Sequence, residues 1–142
     1  MAPIVASPYT WPVPGEVQKK FSMESLLYSQ TMRDWRTHSG IDLSASVGTS
    51  VKAVSGGVVD AVYQDDMMGT CVVIEHANDV KSLYANLAEQ PAVKVGDRVS
   101  TGDVIGAVGD TALFESSDPS HLHLEIYKDG EAVDPETILP AR

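Results

Sequence analysis

Two short motifs constrain this chain more than any other feature, because they are far apart in sequence and carry side chains that can share one ion. Residues 38–42 read His-Ser-Gly-Ile-Asp, and residues 121–123 read His-Leu-His. Side chains alternate faces along an extended segment, so the first, third and fifth residues of the first motif would share a face, as would both histidines of the second. Gly40 would leave space beside the ligands and let the backbone approach closely. A fold that brings the motifs together therefore creates a site of two imidazoles and a carboxylate.

The types of ligand point to zinc with an open coordination position. Three nitrogen or oxygen ligands plus a water are typical of catalytic zinc, whereas structural zinc is usually closed by four ligands and is rich in cysteine. The chain has one cysteine and four histidines, and three of the histidines fall in these two motifs. Either motif alone is more often incidental than functional, so the prediction of a metal site depends on their combination.

The rest of the sequence predicts an all-β fold. Segments that are rich in Val, Ile or Tyr and bounded by Gly, Asp, Asn or Pro predict short strands. These segments are residues 16–21, 50–54, 57–64, 70–76, 81–87, 98–99, 104–109 and 121–128. Residues 25–36 are predicted as a loop, and no segment shows a sustained helical period. Residues 1–10 contain two prolines and no periodicity, so we expect a flexible arm or linker remnant there and a single domain over residues 11–142.

Three stretches together resemble the LytM/lysostaphin-type zinc metallopeptidases, which cut peptide bonds in bacterial peptidoglycan. They are the His-x-Gly-x-Asp segment, the His-Leu-His-Leu-Glu strand that begins at His121, and the Val-Gly-Asp-Arg-Val-Ser-Thr-Gly-Asp-Val-Ile-Gly stretch between them. The similarity runs from about Trp11 to Pro140. It implies a compact antiparallel β-sandwich of the duplicated hybrid motif type, with a zinc groove across one sheet. Within this family, residues 35–38 and the acidic loop before His121 most resemble the SpoIIQ-like sporulation proteins.

The resemblance implies a role for the histidines and the aspartate of the two motifs. His38, Asp42 and His123 would be the zinc ligands, and a bound water would be the nucleophile, because zinc lowers the pKa of such a water to about 7. His121 matches the family's general base, about 6.5–7 Å along the strand from His123 and therefore within reach of the water but not easily of the ion. Glu125 continues the same face, where it would either orient a ligand or be an ordinary solvated glutamate.

The chain departs from the family pattern at one catalytic position. The family's Tyr-x-His-Leu motif supplies a second catalytic histidine that helps to bind the oxyanion, whereas residues 84–87 here read Tyr-Ala-Asn-Leu. Asn86 can donate a hydrogen bond, but it can neither carry a charge nor shuttle a proton. The predicted hairpin register pairs His76 with Lys81 and Asn86 with Cys71, which places His76 and Asn86 on opposite sides of the sheet unless a bulge intervenes. We therefore interpret His76 and Cys71 as structural residues.

Composition fits one globular domain, and the resemblance implies an extracytoplasmic location, in the cell wall or an intermembrane space. A length of 142 residues with 43% hydrophobic residues is typical of a single core. No apolar run approaches the roughly 20 residues that span a bilayer, so a membrane attachment would need an anchor outside this sequence. The net charge of −10 argues against nucleic acid or an anionic membrane surface as a partner.

Three functions are consistent with the sequence. The ligand set and His121 favour an active zinc endopeptidase that acts on peptidoglycan peptides. Asn86 and the acidic composition favour a catalytically weak or inactive scaffold, which the SpoIIQ-like resemblance implies would bind a partner ectodomain across the intermembrane space during sporulation. A phosphotransferase or lipoyl carrier domain shares the Gly-Asp-x-Val turns, but the chain lacks an Asp-Lys-Ala lipoylation signal and such a carrier has no need of Asp42.

Two further segments leave alternatives open. Tyr28 and Trp35 precede the first motif and would line either the groove or the core. Residues 110–120 enter the strand of the second motif, so this loop would either border the groove and set specificity or be an ordinary surface loop.

Overall fold

The computed structural model describes residues 4–29, 34–111 and 119–141, with the side chains of these ranges except those of residues 24–29 and 34–37. Twelve strands and one short 3-10 helix are formed within these ranges. They are β1 (Val17–Lys19), β2 (Ser22–Ser29), β3 (Asp34–His38), β4 (Ile41–Ser44), β5 (Ser50–Lys52), β6 (Gly57–Asp65), β7 (Gly69–Glu75), β8 (Val80–Leu87), β9 (Arg98–Val99), β10 (Val104–Ala107), β11 (His121–Lys128), β12 (Glu131–Val133) and the 3-10 helix Pro135–Thr137. None of the described residues belongs to a helix long and apolar enough to cross a membrane.

The main sheet contains eight strands, in the order β1-β4-β11-β8-β7-β6-β9 with β12 also paired to β11. Two smaller sheets pair β10 with β5 and β2 with β3. The described strand pairings are antiparallel. Strands such as β7 consist mainly of β-branched residues, which fit the pleated surface of a sheet. The predicted all-β, antiparallel architecture is confirmed.

Strand β11 connects the core with the polar face of the sheet. It lies between β4 and β8, and its side chains alternate between the two faces. Leu122, Leu124 and Ile126 are fully buried in the main hydrophobic core, as the alternation predicts. His121, His123 and Glu125, which alternate with them, therefore lie on the opposite face.

Two hairpins were not predicted from the sequence. The predicted loop over residues 25–36 is wrong, because β2 pairs with β3 and Tyr28 lies opposite Trp35. The sequence of β2, Ser-Met-Glu-Ser-Leu-Leu-Tyr-Ser, contains no Val or Ile, the residues on which the strand predictions relied, so only its pairing with β3 identifies it as a strand. Strand β12 pairs with β11 through the turn Asp129-Gly130, where both residues have positive φ angles. An Asp-Gly pair is a strong signal for a two-residue hairpin turn, so the sequence carried a signal for this hairpin that the strand predictions did not include.

The other predicted strands are present, with ends that differ by up to two residues. The sequence predicts a flexible arm over residues 1–10, but several described residues of this segment make hydrogen bonds to the rest of the domain. Ser7 Oγ accepts a hydrogen bond from Gly56 N–H, Thr101 donates to the Pro8 carbonyl, and Thr10 N–H donates to the Val54 carbonyl. The packed part of the chain therefore begins before residue 11.

The β7–β8 hairpin has a different register from the predicted one at its turn. Glu75 pairs with Lys81, and His76 N–H donates to the Val80 carbonyl, so residues 77–79 form the loop, the last two with positive φ angles. The prediction paired His76 with Lys81 because it assigned Val80 to the loop. Since Val80 begins β8, the loop is one residue shorter than predicted.

His76 belongs to a buried hydrogen-bond network at the turn end of this hairpin. Its Nδ1 lies 2.9 Å from the Gly56 carbonyl oxygen, and its Nε2 lies 2.7 Å from the Ser82 hydroxyl. The Ser82 hydroxyl is 2.7 Å from the Tyr84 hydroxyl, which accepts a hydrogen bond from Val54 N–H. Burial lowers the pKa of His76, so the network holds a neutral imidazole. These contacts agree with a structural role for His76.

We expect protonation of His76 to destabilise the fold. The pKa of His76 is lower in the folded protein than in the unfolded chain, so the unfolded state binds this proton first as the pH falls below about 6.5. The free energy of unfolding should decrease from about pH 7.5 to about pH 5. His76→Gln should be less stable at the higher pH but should depend less on pH. Urea unfolding of both proteins with a chelator present measures this, and equal pH slopes would contradict it.

Candidate metal centre

The pairing of β4 with β11 brings the two motifs together. His123 lies directly opposite Asp42 in this pairing, and His38 ends β3 just before β4 begins. One ligand atom from each of these three residues lies within 4.8 Å of the others. All three side chains are buried. The structure thus brings the predicted ligand set together in one place.

The path of the first motif differs from the extended segment that was predicted. His38 and Asp42 belong to strands of different sheets, and the chain bends between them at Ser39 and Gly40. A Cβ atom on Gly40 would lie 2.2 Å from the Leu124 carbonyl oxygen, a contact that the backbone cannot relieve easily. Gly40 is therefore needed for the close approach of the bend to β11, as predicted. The group that a side chain at this position would meet is the β11 backbone, whereas the prediction also expected the space to be needed beside the ligands.

Asp42 lies between the two candidate imidazole ligands. Its Oδ1 is 3.4 Å from His38 Nε2 and 2.7 Å from His123 Nδ1. The other nitrogen of His38, Nδ1, lies 2.9 Å from the Lys20 carbonyl oxygen. A carbonyl accepts only from an N–H, so this bond places the proton on Nδ1 and directs the lone pair of Nε2 toward Asp42.

His121 approaches the same carboxylate from the side. Its Nε2 is 3.9 Å from Asp42 Oδ2, and its Nδ1 lies 2.7 Å from the Pro119 carbonyl oxygen. The carbonyl holds the proton on Nδ1, so Nε2 is the nitrogen that can accept one. This arrangement fits a base beside the ligands, and the role stays a prediction.

Glu125 contacts the ring of His123 on the side away from Asp42. Its Oε2 is 2.8 Å from His123 Nε2 and accepts a hydrogen bond of 2.7 Å from Ser39, while Tyr127 donates to its Oε1. Burial alone raises the pKa of Glu125, but the hydrogen bonds from His123, Tyr127 and Ser39 outweigh burial and lower the pKa below its ordinary value. Glu125 is therefore ionised at neutral pH and is not a solvated strand residue.

Sequence reasoning missed Ser39 and Tyr127. The alternation that places His123 and Glu125 on one face also places Tyr127 there, so period two carried a signal for it. The contact of Ser39 depends on the bend at Gly40, which the motif alone does not specify.

Asn86 lies at an irregular point of β8. The pairs Thr70–Leu87 and Val72–Tyr84 differ in register, so a bulge separates them, and Asn86 has a φ of 61°. Its side-chain amide donates a hydrogen bond of 2.8 Å to the His121 carbonyl oxygen. The residue at the position of the missing histidine thus binds the β11 backbone. The bulge lies at the opposite end of β8 from the turn that holds His76, roughly 20 Å away, so His76 does not replace it.

A small apolar cluster of Cys71, Leu83 and Ala85 lies beside the metal centre, with Ala85 opposite His123. Burial is the main reason that the pKa of Cys71 is raised to about 11. This thiol is therefore protonated at neutral pH and packs as a small apolar group. The sequence also named candidates for the groove wall. They lie outside the described part of the chain: the side chains of Tyr28 and Trp35, and most of the loop over residues 110–120.

Comparison with known proteins identifies relatives of this site. A family model described as Peptidase family M23 matches residues 36–135, which include both motifs. The DD-carboxypeptidase/endopeptidase Mpg of Neisseria meningitidis serogroup B is 35% identical over 129 residues, which cover 83% of this chain and 29% of Mpg. Stage II sporulation protein Q of Bacillus subtilis is 37% identical over 98 residues, which cover 68% of this chain and 34% of that protein. The chain spans about a third of the length of these relatives.

A solved structure agrees with the sequence comparison. A chain of the SpoIIQ-SpoIIIAH pore forming complex superposes with a TM-score of 0.80 at 28% identity, over 94% of this chain and 91% of that chain. The resemblance predicted from the motifs, and the fold that it implied, are confirmed.

We expect Gly40→Ala to destabilise the protein, because the added methyl group collides with the β11 backbone. Overpacking of this kind costs about 1–3 kcal/mol. Gly106→Ala is a matched control, because its Cβ would meet only ordinary contacts of 3.8 Å. Denaturant unfolding of both variants measures the difference, and a Gly40→Ala protein as stable as Gly106→Ala would show that the bend does not need glycine.

Proposed function

This chain belongs to peptidase family M23, and we propose that it is the zinc-binding peptidase domain of a cell-envelope protein, a metalloendopeptidase that acts on peptidoglycan cross-link peptides. The observation that carries the proposal is the convergence of His38, Asp42 and His123. Two imidazoles and one carboxylate fit zinc and leave a coordination position open for water or substrate.

The protein's part in this chemistry is to hold the ligands and to manage protons. Zinc, when bound, would act as a Lewis acid and lower the pKa of a bound water to about 7. The Lys20 carbonyl orients His38 so that Nε2 points inward, and strand pairing sets Asp42 against His123. The ligand side chains therefore need little rearrangement to hold an ion.

His121 is the proposed general base. The Pro119 carbonyl holds the proton of its Nδ1, so Nε2 would accept the proton of the attacking water. Its position beside Asp42, outside the group of three ligands, supports this division of labour. Asn86 is proposed to stand in for the family's second histidine, with a weaker contribution to binding the oxyanion.

A peptide of the cell wall is the proposed substrate. The relative Mpg is named a DD-carboxypeptidase/endopeptidase, and a net charge of −10 disfavours nucleic acid. We accordingly propose an extracytoplasmic location, in the cell wall or an intermembrane space.

A second candidate function is a scaffold with little or no turnover, which binds a partner ectodomain during sporulation. The specific observation in its favour is the hydrogen bond from the Asn86 amide to the His121 carbonyl, which engages this side chain with the backbone. The similarity to a chain of the SpoIIQ-SpoIIIAH complex supports a protein partner. Both functions share the zinc site and differ in whether the site hydrolyses peptides.

We expect about one zinc per chain, and we expect His123→Ala to abolish tight binding, because the variant retains only two ligands. His121→Ala is the matched control on the same strand and face, and it should retain zinc while losing any hydrolysis. Elemental analysis after zinc loading and gel filtration measures the zinc content of the wild type and of both variants. Metal-free wild-type protein, or loss of zinc from His121→Ala alone, would overturn the assignment of ligands.

The exchange Asn86→His tests turnover. If the first function is correct, wild-type protein should release new amino groups from purified peptidoglycan slowly, and Asn86→His should raise the rate by about 10–10³, bounded by the cost of one oxyanion donor. Asn78→His is a matched control, because Asn78 has a similar φ of 64° but lies in the β7–β8 loop. A folded, zinc-loaded Asn86→His protein without turnover would contradict the peptidase function and favour the scaffold.

A further inference from the structure

One carboxylate collects three hydrogen bonds behind the metal centre. Ser39 and His123 both contact Oε2 of Glu125, at 2.7 Å and 2.8 Å, and Tyr127 donates to Oε1. Glu125 is 4% exposed, so water does not compete freely for these positions. Three donors on two oxygens fix the carboxylate in both position and rotation.

We propose that Ser39, Glu125 and Tyr127 form a clamp that positions His123 for metal binding. The proposal rests on the proposed zinc site and adds residues to it that do not touch the ion. Within the clamp, Glu125 accepts the Nε2 proton of His123, so Nδ1, which lies 2.7 Å from Asp42 Oδ1, is the nitrogen that can offer a lone pair to a cation. Both ring nitrogens face carboxylates, and the acceptor at Nε2 decides which nitrogen binds the cation.

The clamp also connects the two motifs through residues that are not ligands, because Ser39 of the first motif donates to Glu125 on β11. Ser39 reaches Glu125 because the bend approaches β11 closely, and a Cβ on Gly40 would lie 2.8 Å from Glu125 Cγ. The bend that presents His38 therefore also supports the ligand on the other motif. Tyr127 supports the same carboxylate from the next position along that face of β11.

The amide of glutamine cannot reproduce this arrangement. A glutamine keeps one acceptor oxygen, which is neutral and a weaker acceptor than a carboxylate oxygen, and its NH₂ group only donates. The Tyr127 hydroxyl would then have to accept rather than donate, and the amide oxygen would hold the Nε2 proton of His123 less strongly. Glu125→Gln thus tests the clamp with almost no change in volume.

The first measurement is zinc affinity of the whole chain, by competition with a chromogenic chelator. Glu125→Gln should weaken zinc binding by about 10–100-fold, the usual effect of losing the acceptor behind a histidine ligand. Tyr127→Phe and Ser39→Ala should each weaken it by a smaller factor. Ser44→Ala is the matched control, because the Ser44 hydroxyl contacts Gln18. It should bind zinc like the wild type.

The second measurement is the imidazole tautomer of His123 in metal-free protein, by long-range ¹H–¹⁵N correlation spectra. The wild type should carry a proton on Nε2, which faces Glu125, and Glu125→Gln should lower the fraction of His123 that is protonated at Nε2. A purely structural role for Glu125 would alter stability without moving the proton between the ring nitrogens. If Glu125→Gln fails to fold, Tyr127→Phe gives the same readout.

The outcomes separate this inference from the proposed function. Wild-type protein that binds no zinc would overturn the proposed function. Wild-type protein that binds zinc, with Glu125→Gln within about twofold of that affinity and an unchanged His123 tautomer, would overturn the clamp alone.

Discussion

The antiparallel pairing of β4 with β11 is the interaction on which both the core and the metal centre depend. In this register Leu122 lies opposite Leu43, and His123 lies opposite Asp42. The leucines pack in the core, while Asp42 and His123 meet on the other face. A slip by one residue would exchange the faces and place a carboxylate among apolar side chains, which is costly without a partner. The hydrophobic and the polar residues therefore specify the same register.

Orientation of the imidazoles comes from residues outside the predicted ligand set. The Lys20 carbonyl holds the proton of His38, the Pro119 carbonyl holds that of His121, and a carboxylate holds the ring of His123. The two carbonyls determine which nitrogen of His38 and of His121 faces Asp42 without a proton, because a neutral imidazole carries only one proton. The buried polar side chains are thus arranged before any ion binds, and the surrounding sheets supply the rigidity that this arrangement needs.

The departure at Asn86 is both chemical and structural. The bulge between β7 and β8 and the positive φ at this residue direct its amide to the β11 backbone. Asparagine tolerates this backbone conformation better than most residues. The position therefore joins β8 to the strand that carries His121 and His123, whatever it contributes to hydrolysis. The choice between a peptidase and a scaffold depends on this one side chain more than on the ligand set, which both functions share.

The sequence by itself determined the donor groups, the alternation along β11 and the family resemblance, because residue type and period two are local properties. It identified Leu122, Leu124 and Ile126 as core residues, and it named the three residues that converge at the centre. Tertiary structure decided that His38 and Asp42 lie in different sheets, that Ser39 reaches Glu125, and that β2 pairs with β3. These features depend on contacts between distant segments, on a bend and on a bulge. Local patterns do not specify such features, because their geometry is set by the partner strand rather than by the segment itself.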